Sequence, residues 1–360
     1  MFFSQLLLGL ARDSLGPAIV GLPERSRDVI SMLAEPIAEE LHSLDPDTTA
    51  IVTAQIIRRP ERWRPTIRAL VLDRAVKSRR EAAGILDVIG EQADVALLRS
   101  VAREGRRGGL DPSLGKGLAR RLAERVHVED LGRVVIRVGA AEVAGTSIRR
   151  KVLALLCLLL SKPDFAATRD EVLDALWPDM DPVAGVNSLN QTVYFLRRVF
   201  EPDYAEDLSP GYVRHESEML WIDRDLVSAQ SDRCAQLIAR FHEAAADSVE
   251  ELSTSYTGKF ALDFMYEEWG SEYRDALHLA YLQVIESAVS ADMESGRYLR
   301  GIALARRALT VEPRLESLER SLLRLFRLIG AHSAAAEQYQ HYASMLREDV
   351  GIESPPLESL

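Results

Sequence analysis

Cysteine is scarce in this sequence of 360 residues, which contains two, at positions 157 and 234. Two thiols can build neither a disulfide scaffold nor a four-cysteine zinc site, so both classes of small stapled domain are excluded. The 21 glycines and 15 prolines are too few for a low-complexity chain. Hydrophobic residues make up 47% of the chain and charged residues 28%, as in an ordinary folded protein. The length predicts two or three domains.

Long hydrophobic runs are also missing. The longest after the N-terminus, residues 152–160, is about half of what a membrane helix requires. Residues 1–10 are apolar, but no basic segment precedes them and Arg12 and Asp13 follow at once. We therefore expect a packed helix there and not a signal peptide. These features predict a cytoplasmic protein without a membrane partner.

An excess of positive charge is missing from the chain, whose net charge is −11 at pH 7. This balance disfavours a protein that coats nucleic acid nonspecifically. It is compatible with a local basic face, because salt screens charges beyond about 8–10 Å. The net charge is +1 over residues 1–132, −4 over residues 133–228 and −8 over residues 229–360. Basic residues concentrate in residues 51–121, which contain 16 basic and 8 acidic side chains.

The motifs of common enzyme classes do not occur either. Residues 109–117 have the glycines and the lysine of a phosphate-binding loop, but with one residue too many between the glycines and no Ser or Thr after Lys116. We expect an inter-helix turn there. The seven histidines lack metal-binding spacing, and there is no nucleophile-elbow motif. The sequence thus predicts a protein that is not an enzyme and carries no metal or other cofactor.

The N-terminal region, residues 1–132, has the apolar spacing of helices almost throughout. Ala82, Ile85, Leu86 and Ile89 lie on one helix face, and further helices are predicted over residues 93–102 and 114–126. Short helix pairs at this spacing resemble HEAT-type repeats, which stack into a solenoid. The arginine-rich surface of this region is either a site for a signal or a protein partner, or an ordinary set of exposed helix faces.

The middle region, residues 133–228, changes period. Alternation at Val134, Ile136 and Val138 predicts a strand. A buried helix over residues 152–160, a short helix opened by a Thr168–Glu171 capping box, and a helix over residues 186–200 follow. Residues 211–214 and 219–222 predict a terminal hairpin. The order is therefore strand, three helices and hairpin, with only small β-sheets.

The C-terminal region, residues 229–360, is predicted to be all helix. Gly296 and Gly330 are 34 residues apart, which is the period of tetratricopeptide repeats. Gly301 stands where that repeat has alanine, so the first unit is imperfect. We therefore predict a mainly α protein whose C-terminal domain is tetratricopeptide-like.

The helix over residues 186–200 carries the clearest functional signal. Its apolar positions Val186, Leu189, Val193, Leu196 and Phe200 define a buried stripe. The other side then presents amide, arginine and ring side chains: Asn187, Asn190, Gln191, Tyr194, Phe195, Arg197 and Arg198. Amides bind adenine edges and arginine binds guanine or phosphate, so the helix suits the major groove of DNA. The alternative is a polar helix face that meets only water.

Two further stretches complete the candidate site and its family resemblance. Arg149, Arg150 and Lys151 precede the buried helix, and Arg214 lies in the hairpin, near its predicted turn. The Thr-Arg-Asp-Glu-Val-Leu run at 168–173 and the Leu-Asn-Gln-Thr-Val-Tyr-Phe-Leu-Arg-Arg run at 189–198 resemble the OmpR-type winged helix. Glu267-Glu268-Trp269, Glu312-Pro313 and the closing run 346–355 resemble the bacterial transcriptional activator domain. Both modules, in this order, resemble the SARP-type bacterial transcriptional regulators.

The resemblance implies a transcriptional activator that binds double-stranded DNA and contacts RNA polymerase, with self-association as a homodimer through the helical repeats. Carried over, the DNA-contacting positions are Asn190, Gln191, Tyr194, Phe195, Arg197, Arg198 and Arg214. The chain departs from the family at Tyr194 and Phe195, where basic residues are usual. Carboxylates at Glu216 and Glu218, and four more after the helix, would repel phosphate. The alternative function is therefore a helical protein-interaction scaffold with a degenerate winged helix that no longer binds DNA.

Overall fold

The computed structural model describes residues 15–104, 111–241, 246–349 and 351–356. The helix predicted within residues 1–10 lies outside these residues. The chain divides into two units: unit 1 contains residues 1–123 and 203–211, and unit 2 contains residues 124–202 and 212–360. The fold is mainly α, as predicted. Within the described ranges, no helix is long and apolar enough to cross a membrane.

Unit 1 is an array of helices around one apolar core. After a 3-10 helix at Glu24–Leu33, consecutive helices pack on one another, and Trp63 is fully buried among them with its indole N–H donating to Ser31 Oγ at 3.1 Å. Of the predicted face, Ala82, Leu86 and Ile89 are buried and Ile85 is half-buried. The helices are α1 (Leu15–Val20), α2 (Ala34–Glu39), α3 (Pro46–Arg58), α4 (Pro60–Leu72), α5 (Arg79–Ile89), α6 (Gln92–Glu104) and α7 (Lys116–Leu122).

The prediction of a helix over residues 114–126 was too long. Helix α7 begins at Lys116, after Gly115, whose φ of 83° places the backbone in the left-handed region. The Gly115 N–H donates to Asp87 Oδ1 at 2.7 Å. The helix ends at Leu122, and Val126 begins a strand because Val126 and Val128 alternate with His127 and are buried between two other strands.

Unit 2 opens with a four-stranded sheet in the order β3-β2-β1-β7. The predicted strand is β2, which pairs antiparallel with β1 on one side and β3 on the other. Strand β7 pairs parallel with β1. The sequence-based boundary at residue 132 therefore separated β1 from the sheet to which it belongs. The strands are β1 (Val126–Glu129), β2 (Val135–Val138), β3 (Ala141–Ala144) and β7 (Val227–Ala229).

Three helices and a second sheet lie between β3 and β7. Every residue from Val152 to Leu160 is buried, and Thr168 and Glu171 form the predicted capping box. The second sheet has the order β4-β6-β5, and all its pairs are antiparallel. The elements are α8 (Arg150–Leu160), β4 (Ala166–Thr168), α9 (Arg169–Leu176), α10 (Pro182–Phe200), β5 (Val213–Glu216) and β6 (Met219–Ile222).

The rest of unit 2 consists of helices that pack in succession. Gly296 and Gly330, at φ 75° and 72°, form the turns before α14 and α16. The close packing of α14 against α15 explains the glycine at position 301, since a Cβ atom there would lie 3.3 Å from Leu325 Cδ1. The helices are α11 (Gln230–Ala239), α12 (Ala246–Ser255), α13 (Ser271–Glu294), α14 (Tyr298–Val311), α15 (Glu316–Leu328) and α16 (His332–Asp349).

Buried polar contacts join the four-stranded sheet to these helices. The fully buried Asp130 accepts hydrogen bonds from the backbone N–H and the hydroxyl of Ser231, at 2.8 and 2.6 Å. The Val134 N–H donates to Asp263 Oδ2 at 2.8 Å. Arg274 is also buried and donates to three backbone carbonyls between residues 260 and 265. Sheet and helices are thus one folded body.

Candidate nucleic-acid interface

Helix α10 is the element that carries most of the predicted site. It begins at Pro182, four residues earlier than predicted, because Asp181 caps it by accepting from the N–H groups of Val183 and Ala184 at 3.0 and 3.3 Å. Proline at the first helical position suits this start. The predicted stripe is buried except for Val186, which is half-buried, and Gly185 and Thr192 are buried as well. The helix is therefore fixed along one side.

The opposite side of α10 forms a continuous exposed face. Five of its side chains recur at helical spacing and all are exposed: Asn187, Asn190, Gln191, Tyr194 and Arg198. At 1.5 Å per residue, this face is about 17 Å long. Arg198 Nε donates to the Pro202 carbonyl at 3.2 Å, which turns the base of that side chain toward the end of the helix. We call these five residues the exposed face of α10.

Phe195 lies beside that face and is half-buried, unlike the exposed ring that the sequence predicted. The Arg149 guanidinium carbon is 3.8 Å from the centre of the Phe195 ring, and the Tyr194 ring packs edge-on against Phe195 at 5.5 Å. A guanidinium held over a ring is a favourable cation–π arrangement. The contact joins α10 to the residue that precedes α8, so no local sequence pattern indicated it. It places one positive charge at the edge of the exposed face.

The other two basic residues before α8 point elsewhere. Arg150 Nη2 is 2.9 Å from Glu267 Oε1, and its guanidinium is 5.0 Å from the Phe264 ring. Lys151 Nζ donates to the Leu176 carbonyl and is 5.7 Å from the Trp177 ring. Of the predicted cluster of three, only Arg149 is therefore placed against α10.

Arg197 and Arg214 contact the hairpin in ways the sequence did not predict. Arg197 is half-buried, and its Nε donates to the Val213 carbonyl at 3.0 Å, which ties α10 to β5. Arg214 lies near the start of β5, away from the Ser217–Glu218 turn, and its Nη2 is 3.4 Å from Asp223 Oδ2. Arg197 therefore joins α10 to the hairpin, whereas Arg214 joins β5 to the residue that follows β6.

The acidic residues of the hairpin are partly neutralised. Glu218 Oε2 is 2.8 Å from Arg169 Nη2, and the Arg169 N–H donates to the Glu218 carbonyl at 2.7 Å. Arg169 was not among the predicted site residues. Burial, followed by the charges of Arg197 and Arg169, lowers the pKa of His215, so this histidine is neutral at pH 7. Among the described residues, no group of histidine, cysteine or carboxylate side chains is arranged to hold a metal ion.

Comparison with known proteins identifies the C-terminal part. Residues 222–359 match the family described as "Bacterial transcriptional activator domain". No curated protein matched the sequence. One similar solved structure is Mycobacterium tuberculosis EmbR in complex with a low-affinity phosphopeptide, with 20% identity and a TM-score of 0.47, covering 66% of this chain and 64% of that chain. The match thus spans less than two thirds of that protein's length. Over residues 222–359 the chain is thus similar to the bacterial transcriptional activator domain, in agreement with the resemblance that the sequence indicated for this region.

Proposed function

We propose that this protein is a DNA-binding transcriptional regulator that reads the major groove with helix α10. The observation that carries the proposal is the exposed face of α10, which has three amides and an arginine along one line. The major groove of B-DNA is about 12 Å wide and admits one helix. Residues 133–228, together with β1, then form the DNA-binding domain, residues 229–360 the activator domain, and residues 1–123 a helical region.

The chemistry of the exposed face favours reading bases over holding the backbone. Asn and Gln each offer one donor and one acceptor, which match the N6 and N7 groups of adenine. Asn190 and Gln191 lie mid-face and are exposed. Tyr194, which is 44% exposed, offers a ring edge for the thymine methyl group and a hydroxyl for a base or a phosphate.

Charge around the helix supports phosphate contacts at its edge. Arg149 is exposed and held in place by the Phe195 ring, so little conformational entropy is lost when it meets a phosphate. Glu218 is paired with Arg169 and Asp223 with Arg214. The pair of Glu218 with Arg169 reduces part of the repulsion between the hairpin and phosphate that the sequence suggested. Arg197, Arg198 and Arg214 each contact a carbonyl or carboxylate oxygen of the chain, so nonspecific affinity is expected to be weak.

The activator domain supports the second half of the proposal. Its family match favours contact with the transcription machinery, and we propose RNA polymerase as that partner. The stacked helices of the domain also offer surfaces for a homodimer, which would place two copies of α10 on repeated half-sites. In vitro transcription from a promoter that carries the selected site tests the polymerase contact, since an activator raises transcript yield.

The test of DNA binding is a selection from random duplexes at about 50 mM salt, where electrostatic binding is strongest. Affinity for the selected site is then measured by fluorescence anisotropy across a salt series. We expect binding that weakens as salt rises, and a selected site that exceeds a scrambled one. If no duplex is enriched and no complex forms at low salt, DNA binding is refuted.

Two variants separate base reading from phosphate contact. Gln191→Ala is expected to weaken binding to the selected site by about five- to 100-fold, with little effect on scrambled DNA. Arg149→Ala is expected to weaken both equally and to reduce the salt slope by about one. The exposed Gln283 of α13 and Arg80 of α5 supply control variants of the same type. Equal effects of both test variants on both duplexes would contradict direct readout.

A second candidate function is protein binding by the winged helix. Met180 and Val183, at the start of α10, are 41% and 72% exposed. Exposed apolar side chains at a helix end are typical of protein contacts. If the chain shifts no duplex at low salt but retains a partner that Val183→Asp abolishes, this interpretation replaces DNA binding.

A further inference from the structure

The segment that joins α10 to the hairpin, residues 203–211, packs with unit 1. Its two ends leave from unit 2, where the Phe200 and Tyr212 rings are 5.7 Å apart and the Tyr212 hydroxyl donates to the Glu124 carbonyl at 2.6 Å. The nine residues therefore begin and end close together. We call them the connecting segment.

Arg99 of α6 is the residue that holds the connecting segment. Its Nη1 donates to the carbonyls of Pro112 and Leu114 at 2.8 and 2.9 Å, and its side chain is 8% exposed. Unit 1 thus fixes one edge of the guanidinium. The other edge faces Asp207: Nη2 donates to Oδ1 at 2.8 Å and Nε to the backbone carbonyl at 3.1 Å. A buried guanidinium therefore grips both side chain and backbone of one residue.

The charges around Asp207 reinforce this grip. The hydrogen bond from Arg99 holds the pKa of Asp207 below its ordinary value, and the charges of Arg103 and Lys116 act in the same direction. Arg103 Nε is 3.6 Å from Asp207 Oδ2. The carboxylate is therefore ionised at neutral pH, and three cations of unit 1 surround it. Arg99, Arg103 and Lys116 all belong to the basic residues that are concentrated in residues 51–121.

We infer that unit 1 controls DNA binding, because Arg99 clamps Asp207 and thereby orders the connecting segment between α10 and the hairpin. This inference rests on the proposed function. Both elements that flank the segment belong to the candidate interface. When the clamp opens, the segment between α10 and the hairpin is no longer ordered, and the carboxylates of Asp203, Glu206 and Asp207 can approach phosphate. A signal or protein partner that loosens unit 1 around Arg99 therefore lowers DNA affinity.

The main test is Asp207→Ala in the full chain, since this side chain is 39% exposed and its removal leaves the core of unit 1 intact. Two quantities are measured: hydrogen exchange of residues 203–216 without DNA, and affinity for the selected duplex. We expect faster exchange and about three- to tenfold weaker binding, the range of one partly exposed charge-assisted contact. Removing a negative charge alone would strengthen binding to DNA, so weaker binding identifies the clamp.

Glu206→Ala is the matched control, because it removes the same charge from a neighbouring exposed residue of the segment. We expect unchanged exchange and equal or slightly tighter binding. Arg99→Lys keeps the positive charge but loses the guanidinium fork, and we expect it to resemble Asp207→Ala.

The outcomes separate this inference from the proposed function. If Asp207→Ala leaves exchange unchanged, or binds DNA as tightly as the wild type, the clamp is refuted. If the wild type and Glu206→Ala both fail to bind any duplex, DNA binding is refuted and the control of it fails too, whereas faster exchange in Asp207→Ala would still establish the clamp as a structural contact.

Discussion

The pH dependence of stability in unit 2 should be dominated by one buried carboxyl group, Asp130. Burial raises its pKa to about 7 from an ordinary value of 3.8, against the opposing effect of the two hydrogen bonds from Ser231. The folded state therefore holds a proton that the unfolded chain releases. Between those two pKa values, each rise in pH favours the unfolded state, and above about pH 7 the effect is constant.

The expected size follows from these two values. One pKa unit corresponds to about 1.4 kcal/mol, so the contribution of Asp130 to the free energy of unfolding falls by about 2.5 kcal/mol between pH 5 and pH 8. Asp130→Asn removes the titration and keeps the shape. The amide can still accept from the Ser231 N–H and can donate to the Ser231 hydroxyl. Relative to the wild type, the variant should therefore gain about 2.5 kcal/mol over this range.

The assay is urea denaturation followed by tryptophan fluorescence at pH 5, 6, 7 and 8. Trp177, Trp221 and Trp269 all lie in unit 2, so the signal reports mainly on that unit. Asp275→Asn, at an exposed position on α13, controls for the loss of one negative charge. A difference between Asp130→Asn and the wild type that stays constant from pH 5 to pH 8 would refute the reasoning.

Two pairs of substitutions, each compared by chemical denaturation, test the packing of the two units. Gly115→Ala should destabilise unit 1 by about 1–3 kcal/mol, because its φ of 83° strains any residue with a Cβ. Gly84→Ala, inside α5 with open space around it, should stabilise unit 1 by about 0.5–1 kcal/mol. Equal effects of Gly84→Ala and Gly115→Ala on stability would show that the backbone at Gly115 does not require glycine. Tyr281→Phe should leave stability unchanged or raise it slightly, since the Tyr281 hydroxyl is buried without a hydrogen-bond partner among the described residues. Tyr256→Phe should destabilise unit 2 by about 1 kcal/mol, because it removes a 3.1 Å hydrogen bond to His278. A larger loss of stability in Tyr281→Phe than in Tyr256→Phe would contradict both expectations.

The sequence predicted features that depend on neighbours along the chain. The period of 3.6 residues placed Asn187, Asn190 and Gln191 opposite a buried stripe, and the structure places them on one exposed face. The capping box at Thr168 and the turn at Gly296 were predicted for the same reason, since each needs only a few adjacent residues. The mainly α fold followed from these local patterns.

Features that depend on distant residues were missed. Phe195 was expected to be exposed because the pattern could not show that Arg149 covers its ring. Arg197 was expected to face DNA, but a carbonyl of the following hairpin takes its Nε. Strand β1 was not predicted and fell in the N-terminal region, with only Val126 inside a predicted helix, because its four residues become a strand only through pairing with β2 and β7. Nothing local indicated that Asp207 pairs with Arg99.

Strand β7 has a consequence for how this protein can be divided. The activator-domain match begins at residue 222 and includes β7, yet β7 completes a sheet whose other strands come from residues 126–144. Dividing the chain before β7 would remove the edge strand from that sheet and would leave β7 unpaired in the C-terminal fragment. The two modules therefore cannot be exchanged independently. A chimeric protein that contains this activator domain must also contain β1 to β3, or a sheet of another protein with the same register.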